Sequence, residues 1–130
     1  MLLVRTKLAQ SMIDGIGLFA AEHISKGTIV WEFNPVIDMR IDGEKLSSLP
    51  AACKEQMRKY TYREINSGLY VLCGDDARFF NHSNEPNCLD IQDEAHGDIT
   101  VAARDISEGE ELTCNYALFD QDMIEGFYKL

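Results

Sequence analysis

Arg78-Phe79-Phe80-Asn81-His82-Ser83-Asn84-Glu85-Pro86-Asn87-Cys88 is the densest run of polar side chains in the sequence, and two adjacent aromatics lead into it. Asn, Ser and Pro86 favour a turn over helix or regular strand. A turn pinned by Phe79 and Phe80 presents Asn81, His82 and Asn84 from a fixed backbone, which suits a ligand site. Taken alone, the run reads more readily as a capped surface turn with one satisfied histidine, because an isolated Asn-His-Ser triplet carries little weight. The rest of the chain decides between the two.

The chain has 130 residues, the size of one domain, and 45% of them are hydrophobic, enough for one core. Twelve Lys and Arg against 22 Asp and Glu give a formal net charge of −10. Such a surface repels phosphates, which argues against direct binding of DNA or RNA, and it attracts basic peptides. An acidic balance also simply keeps a protein soluble. Cys53, Cys73, Cys88 and Cys114 have no zinc-ligand spacing, and no stretch near residue 1 reads as a signal peptide or membrane span. These features lead to the expectation of a reducing, cytoplasmic setting with free thiols, or a nuclear one in a eukaryotic host.

Working outward, Leu2–Arg5 begins like a strand, and Ser11, Asp14, Gly15 and Gly17 break it with a turn. Thr28–Phe33 is β-branched and aromatic, hence a strand, as are Leu69–Cys73 and Asp98–Ala103. Residues 44–62 differ: Ser47 or Ser48 ahead of Pro50 predicts a helix start, and Cys53, Met57 and Tyr60 then share one face for packing. One pattern occurs twice. Ala20-Ala21-Glu22-His23-Ile24-Ser25-Lys26-Gly27 matches Ala102-Ala103-Arg104-Asp105-Ile106-Ser107-Glu108-Gly109. Two strand-to-turn corners closed by Ser-x-Gly imply a compact, pseudo-symmetric β fold of short strands.

Gly15-Ile16-Gly17-Leu18-Phe19-Ala20 formally satisfies the dinucleotide fingerprint, but that motif needs a long helix behind it, and Ile24–Gly27 turns the chain first. A Gly-x-Gly at a strand-flanked turn still lets backbone approach a ligand closely. A Cys–His nucleophile pair built from Cys88, Cys114 and His82 has nothing in the sequence to orient it.

Three segments in this order, Gly15-x-Gly17, Arg78–Asn87 and Gly109-Glu110-Glu111-Leu112-Thr113-Cys114-Asn115-Tyr116, resemble the SET-domain family of protein-lysine methyltransferases. The resemblance runs from about residue 4 to Tyr116 and implies a mainly β fold. It would be a cluster of small twisted sheets with one or two short helices, in which the C-terminal segment threads a loop as a pseudoknot. The whole chain, 1–130, is then one domain with a helical insert at 44–62 and a tail at 117–130. The resemblance further implies S-adenosylmethionine as methyl donor, lined by backbone at Ile16, Gly17 and Leu18. Asn81 would bond its methionine portion and the His82 backbone its adenine. Arg78 would pair with Glu111 to lock the threaded segments. Tyr116 matches the family's active-site tyrosine, and Tyr70 is a second candidate for the lysine channel. Its other reading is a core aromatic on a strand. The implied substrate is a lysine in a basic protein or peptide segment.

The chain also departs from the family. Asn84 stands where many members carry a zinc-ligating cysteine, and residues 117–130 contain no cysteine, so no zinc is expected. Phe119, Phe127 or Tyr128, or a second copy of the chain, would have to complete the site. Cys114 occupies a position that is often Phe or Tyr and that limits how many methyl groups fit. The small side chain leaves room there unless water or a neighbour fills it.

Overall fold

A computed structural model describes residues 1–95 and 97–125. Ten short strands dominate: β1 (Thr6–Gln10), β2 (Ile16–Ala20), β3 (Ile29–Glu32), β4 (Met39–Ile41), β5 (Thr61–Arg63), β6 (Tyr70–Leu72), β7 (Asn81–His82), β8 (Cys88–Asp93), β9 (Gly97–Ala102) and β10 (Thr113–Cys114). Three α-helices accompany them among the described residues: α1 (Gly43–Ser47), α2 (Ala51–Tyr60) and α3 (Gln121–Ile124). The strands form four small sheets, ordered β1-β2, β10-β7, β3-β9-β8 and β4-β6-β5. All pairings are antiparallel except β7 with β10, which run parallel in the register Asn81↔Thr113 and His82↔Cys114.

The duplicated corner is the centre of the core. Ile24 and Ile106 pair with one another across an antiparallel bridge, each amide donating to the other's carbonyl at 2.9 and 2.8 Å. Both are buried, beside Leu18, Ala20, Val30, Cys88, Ala102, Leu112 and Cys114. Each corner also reaches into the other repeat. Gly27 N donates to Ala102 O, and Gly109 N donates to Ala20 O, both at 2.8 Å. Gly27 and Gly109 have φ of 85° and 91°, a left-handed conformation that glycine adopts without cost. The sequence repeat is therefore an approximate two-fold exchange of hydrogen bonds, which is why the same eight-residue pattern serves twice.

The threaded segment is secured by side chains. A two-residue parallel pair gains little from its own ladder. Buried Asn87 supplies the rest: its amide donates to Glu111 O at 2.8 Å, and its Oδ1 accepts from Thr113 N at 2.9 Å. Its own backbone amide donates to Thr113 Oγ1 at 3.2 Å.

The expected helix start is present: α2 begins directly after Pro50, though without a side-chain cap, because Ser47 and Ser48 bond back to Glu44 O and Lys45 O and close α1. The expected packing stripe on α2 does not form a buried face. Cys53 is exposed and α2 has no buried residue, with only Met57, Tyr60 and Lys54 partly covered. Asp42, not a serine, caps the first helix.

Removing the Asn87 amide leaves Glu111 O and Thr113 N without partners in the interior. Asn87→Ala is expected to lower unfolding stability by about 2–6 kcal/mol, at one to three per unpaired group. Urea denaturation followed by Trp31 fluorescence measures it; a loss below about 0.5 kcal/mol would show that water replaces the amide.

Candidate active site

Two neighbouring regions meet at Tyr116. The first is the turn between β1 and β2 with the Asn-His-Ser run beneath it. The Asn81 amide donates to Asp14 O at 3.1 Å, Ile16 O at 3.4 Å and Glu111 Oε1 at 2.8 Å. Ser11 Oγ donates to the same carboxylate at 2.7 Å. Gly17 has no room for a side chain, because a Cβ there would stand 2.1 Å from Glu111 Oε1. The glycine thus admits the carboxylate that ties the first and last motifs together. Glu111 is accordingly bound by Ser11 and Asn81, not by Arg78. The expected Arg78–Glu111 pair is not formed: the Arg78 side chain is exposed beside the rings of Tyr60 and Phe79, 5.9 and 6.0 Å from their centroids.

The other residues expected near the methyl donor are distributed as follows. Ile16 is half exposed at the turn, with Met12 and Ile13 exposed beside it. Gly17 and Leu18 are buried, and Leu18 O already accepts from Leu112 N at 2.7 Å. His82 Nδ1 accepts from Tyr116 N at 3.1 Å, and its Nε2 lies 3.1 Å from Asn84 Oδ1. With Nδ1 an acceptor, neutral His82 carries its proton on Nε2 and donates it to Asn84. The ring clamps the Asn-His-Ser turn to the tyrosine segment.

The second region is a cavity of about 330 Å³ on the other side of Tyr116. Trp31, Tyr62, Cys114, Tyr116 and Phe119 give it a largely apolar wall, and Asp90 and Asp98 add carboxyls. Tyr62 and Tyr116 both pack edge-on against Phe119, with centroids 5.2 and 5.6 Å away. Phe119 was expected to help close the site; Phe127 and Tyr128 lie outside the described residues. The Tyr116 hydroxyl donates to Phe80 O. Burial, and then the nearby Cys114 and Asp90, push the Tyr116 hydroxyl far above the usual tyrosine range, so it stays protonated at neutral pH.

Tyr70 is placed elsewhere. It does not line the cavity; its hydroxyl donates to Asp122 Oδ2 at 2.8 Å. Burial and that bond push it up to about 12. Tyr60 and Tyr62 line the cavity beside Tyr116; Tyr60 ends α2, and Tyr62 faces Val71 across the β5–β6 pair. The β-branched and aromatic pair Thr61-Tyr62 was the available strand signal, but the helix pattern ending at Tyr60 obscured it.

Asp90 was not anticipated at all. It sits on β8 opposite Thr100, whose hydroxyl donates to Asp90 Oδ1 at 2.6 Å. Burial pushes its carboxyl up to about 6. Asp98 is also pushed up to about 6, by burial and by its hydrogen bond with Glu64, which Arg40 holds in two bonds of 2.8 and 2.9 Å.

The SET-domain family model matches residues 15–117. Histone-lysine N-methyltransferase 2D of Homo sapiens is 35% identical over 124 residues, covering 88% of this chain and 2% of that protein. An H3 lysine-4 specific histone-lysine N-methyltransferase of Schizosaccharomyces pombe is 36% identical over 114 residues, covering 82% of this chain and 12% of that protein. The chain therefore spans a small part of these relatives. The fold is similar to that in an autoinhibited Polycomb Repressive Complex 2 structure bound to S-adenosylmethionine, with TM-score 0.69 and 25% identity, covering 95% of this chain and 16% of that one.

The raised Asp90 carboxyl has a stability consequence. Its folded value of about 6 exceeds the ordinary 3.8, so the native state holds the proton more tightly. Stability from this group is present below the ordinary value and is lost as pH rises through 6. Asp90→Asn is expected to stabilise the fold by about 1–2 kcal/mol at pH 7.5, allowing for solvent in the cavity, and by nothing at pH 4. Thermal melts at the two pH values test this; a destabilised variant at pH 7.5 would refute it.

Matching motifs at both ends of the threaded segment, the family match over residues 15–117 and the shared fold agree: the chain belongs to the SET-domain family.

Proposed function

We propose that the chain transfers a methyl group from S-adenosylmethionine to a lysine side chain in a basic protein segment. The observation that carries this reading is the position of Tyr116. Its backbone amide bonds His82 on the side of the glycine turn, and its ring lines the cavity on the other. An amine entering the cavity and a donor held at the turn would meet at this residue.

The turn suits such a donor chemically. Asp14 O, Ile16 O and Glu111 Oε1 form a cluster of acceptors, now shared by the Asn81 amide, and this set suits an ammonium group. The exposed apolar side chains of Met12, Ile13 and Ile16 border it. Ile16, Gly17 and Asn81 would hold the amino-acid portion, with His82 fixing the turn beside it. When bound, the donor supplies a methyl group on a positively charged sulfur.

The chain's own residues then position the amine. Lysine is protonated near pH 7, with a pKa of about 10.4 in water. The apolar part of the wall disfavours the ammonium, and the positive sulfur of a bound donor would repel it, both lowering that value, while the carboxyls of Asp90 and Asp98 act in the opposite direction. Tyr116, protonated and bonded to Phe80 O, acts as a fixed dipole that aligns the amine; with its pKa raised it is not the base. Cys114 keeps the wall beside it small. Catalytic roles thus fall to Tyr116, and Tyr62 takes the channel position that Tyr70 was expected to fill.

The similar proteins are histone-lysine methyltransferases, and the net charge of −10 suits a histone-like basic tail. This favours a chromatin substrate, and with it a nuclear setting, over the cytoplasmic one that composition suggested.

Calorimetric titration with S-adenosylmethionine tests the donor site. Wild type is expected to bind it saturably, and Asn81→Ala about tenfold more weakly, the loss of one charge-assisted bond; wild type without binding up to roughly millimolar donor would sink the reading. Transfer of radiolabelled methyl to a synthetic H3 N-terminal peptide tests the chemistry. Tyr116→Phe is expected to lower kcat about 10²–10³-fold with donor affinity within about threefold. A chain that binds the donor yet transfers no methyl, in wild type and variant alike, would be a binding module.

A further inference from the structure

Trp31, Thr100 and Asp90 form one row across the three-stranded sheet. Trp31 pairs with Thr100 between β3 and β9, and Thr100 pairs with Asp90 between β9 and β8. Directly opposed residues of antiparallel strands point to the same face. All three line the cavity, so one face of the sheet is its polar floor. The floor is incompletely satisfied. Trp31 is 4% exposed and its indole N–H has no hydrogen-bond partner among the described residues. Asp90 Oδ1 takes the Thr100 hydroxyl, and the Cys114 thiol, a weak donor, is the other group beside the carboxyl. A half-buried carboxylate with so few donors is costly unless something cationic or rich in N–H groups joins it.

Of the cations at hand, Arg40 is bound to Glu64, and Lys59 and Arg78 are exposed side chains at the edge of the cavity, on α2 and the segment before the Asn-His-Ser turn. Asp98, the other acidic wall residue, is bonded to Glu64. Asp90 lies close enough to Cys114 and Tyr116 for its charge to act on both.

We propose that Asp90 is the residue that recognises the target amine, accepting a hydrogen bond from its N–H at the floor of the cavity. The assignment rests on the methyltransferase reading of the site and deepens it. An ammonium with at least one N–H gains a charge-assisted bond to Asp90. A quaternary ammonium offers no N–H and gains only diffuse attraction. The residue would therefore favour amines that still have a hydrogen to replace and would release the fully methylated product.

The test uses n-butylammonium, which carries the four-carbon arm and amine of lysine, with n-butyltrimethylammonium as its quaternary counterpart. Each is titrated into the whole chain at pH 7.5, and the backbone amide signals of Thr100 and Tyr116 are followed by NMR. Expected is saturable butylammonium binding that weakens about tenfold in Asp90→Asn, the loss of one charge-assisted bond. Butyltrimethylammonium should change less than about twofold between the two proteins, since no such bond is lost. Asp98→Asn removes the same charge from the same cavity and should leave butylammonium within about twofold, which separates the bond from net charge. Equal butylammonium affinity in wild type and Asp90→Asn, or no saturable shift in wild type, overturns the proposal. A separate titration with S-adenosylmethionine distinguishes the failures. Amine binding that depends on Asp90 without donor binding sinks the methyltransferase reading alone, and donor binding with Asp90-independent amine binding sinks this assignment alone.

Discussion

The structure depends on holding a segment in place that has almost no strand of its own. Thr113 and Cys114 make a parallel pair two residues long, which cannot resist the entropy of a free chain by ladder bonds. Asn87 makes up the deficit by acting as a piece of backbone. Its amide group offers one donor and one acceptor in the geometry of a peptide, and it spends them on Glu111 O and Thr113 N. The Glu111 side chain then ties the same segment to Ser11 and Asn81 on its other side. Everything chemical follows from that fixation, because Leu112, Cys114 and Tyr116 take their places in core, cavity wall and site only if Thr113 is held.

The same arrangement explains why glycine stands at position 17. Nothing about its φ calls for glycine there. The requirement is distance: a carboxylate oxygen occupies the space of the missing Cβ. The Gly-x-Gly turn is therefore shaped as much by the far end of the chain as by anything it binds. A reader of sequence sees a flexible loop, and the folded chain has a socket for Glu111.

What was legible in the sequence was what repeats or alternates locally. The two Ile-Ser-x-Gly corners stand out as a pattern, and the strands at β3, β6 and β9 follow from their β-branched and aromatic content. Sequence could not choose between partners that are all polar and all distant. Arg78 and Glu111 have opposite charge, which made a pair attractive, but Asn81 and Ser11 lie closer and satisfy the carboxylate with hydrogen bonds of 2.8 and 2.7 Å. Tyr70 and Tyr62 are both tyrosines in β strands, and only the β5–β6 register decides which one reaches the cavity. Asp90 gave no signal, because a lone acid in the run Cys88-Leu89-Asp90-Ile91 reads as a solvent-facing strand position until β8 is set against β9.

Asp90 also shows how stability and function pull apart here. On the face of β8 shared with buried Cys88, an apolar residue would pack against Thr100 and Cys114 at no electrostatic cost. A carboxyl there is held near 6, so at neutral pH the fold carries the penalty of keeping it charged. A protein maximising stability would avoid such a group, and sites that break local rules in this way are where chemistry is expected. The unpartnered Trp31 indole in the same row is a second break of the same kind. An unpartnered indole N–H and a carboxyl whose donors are the Thr100 hydroxyl and the weak Cys114 thiol, on one face of one sheet and lining a cavity with Tyr116, are hard to account for as packing, and they point to a ligand with hydrogens to give and charge to place.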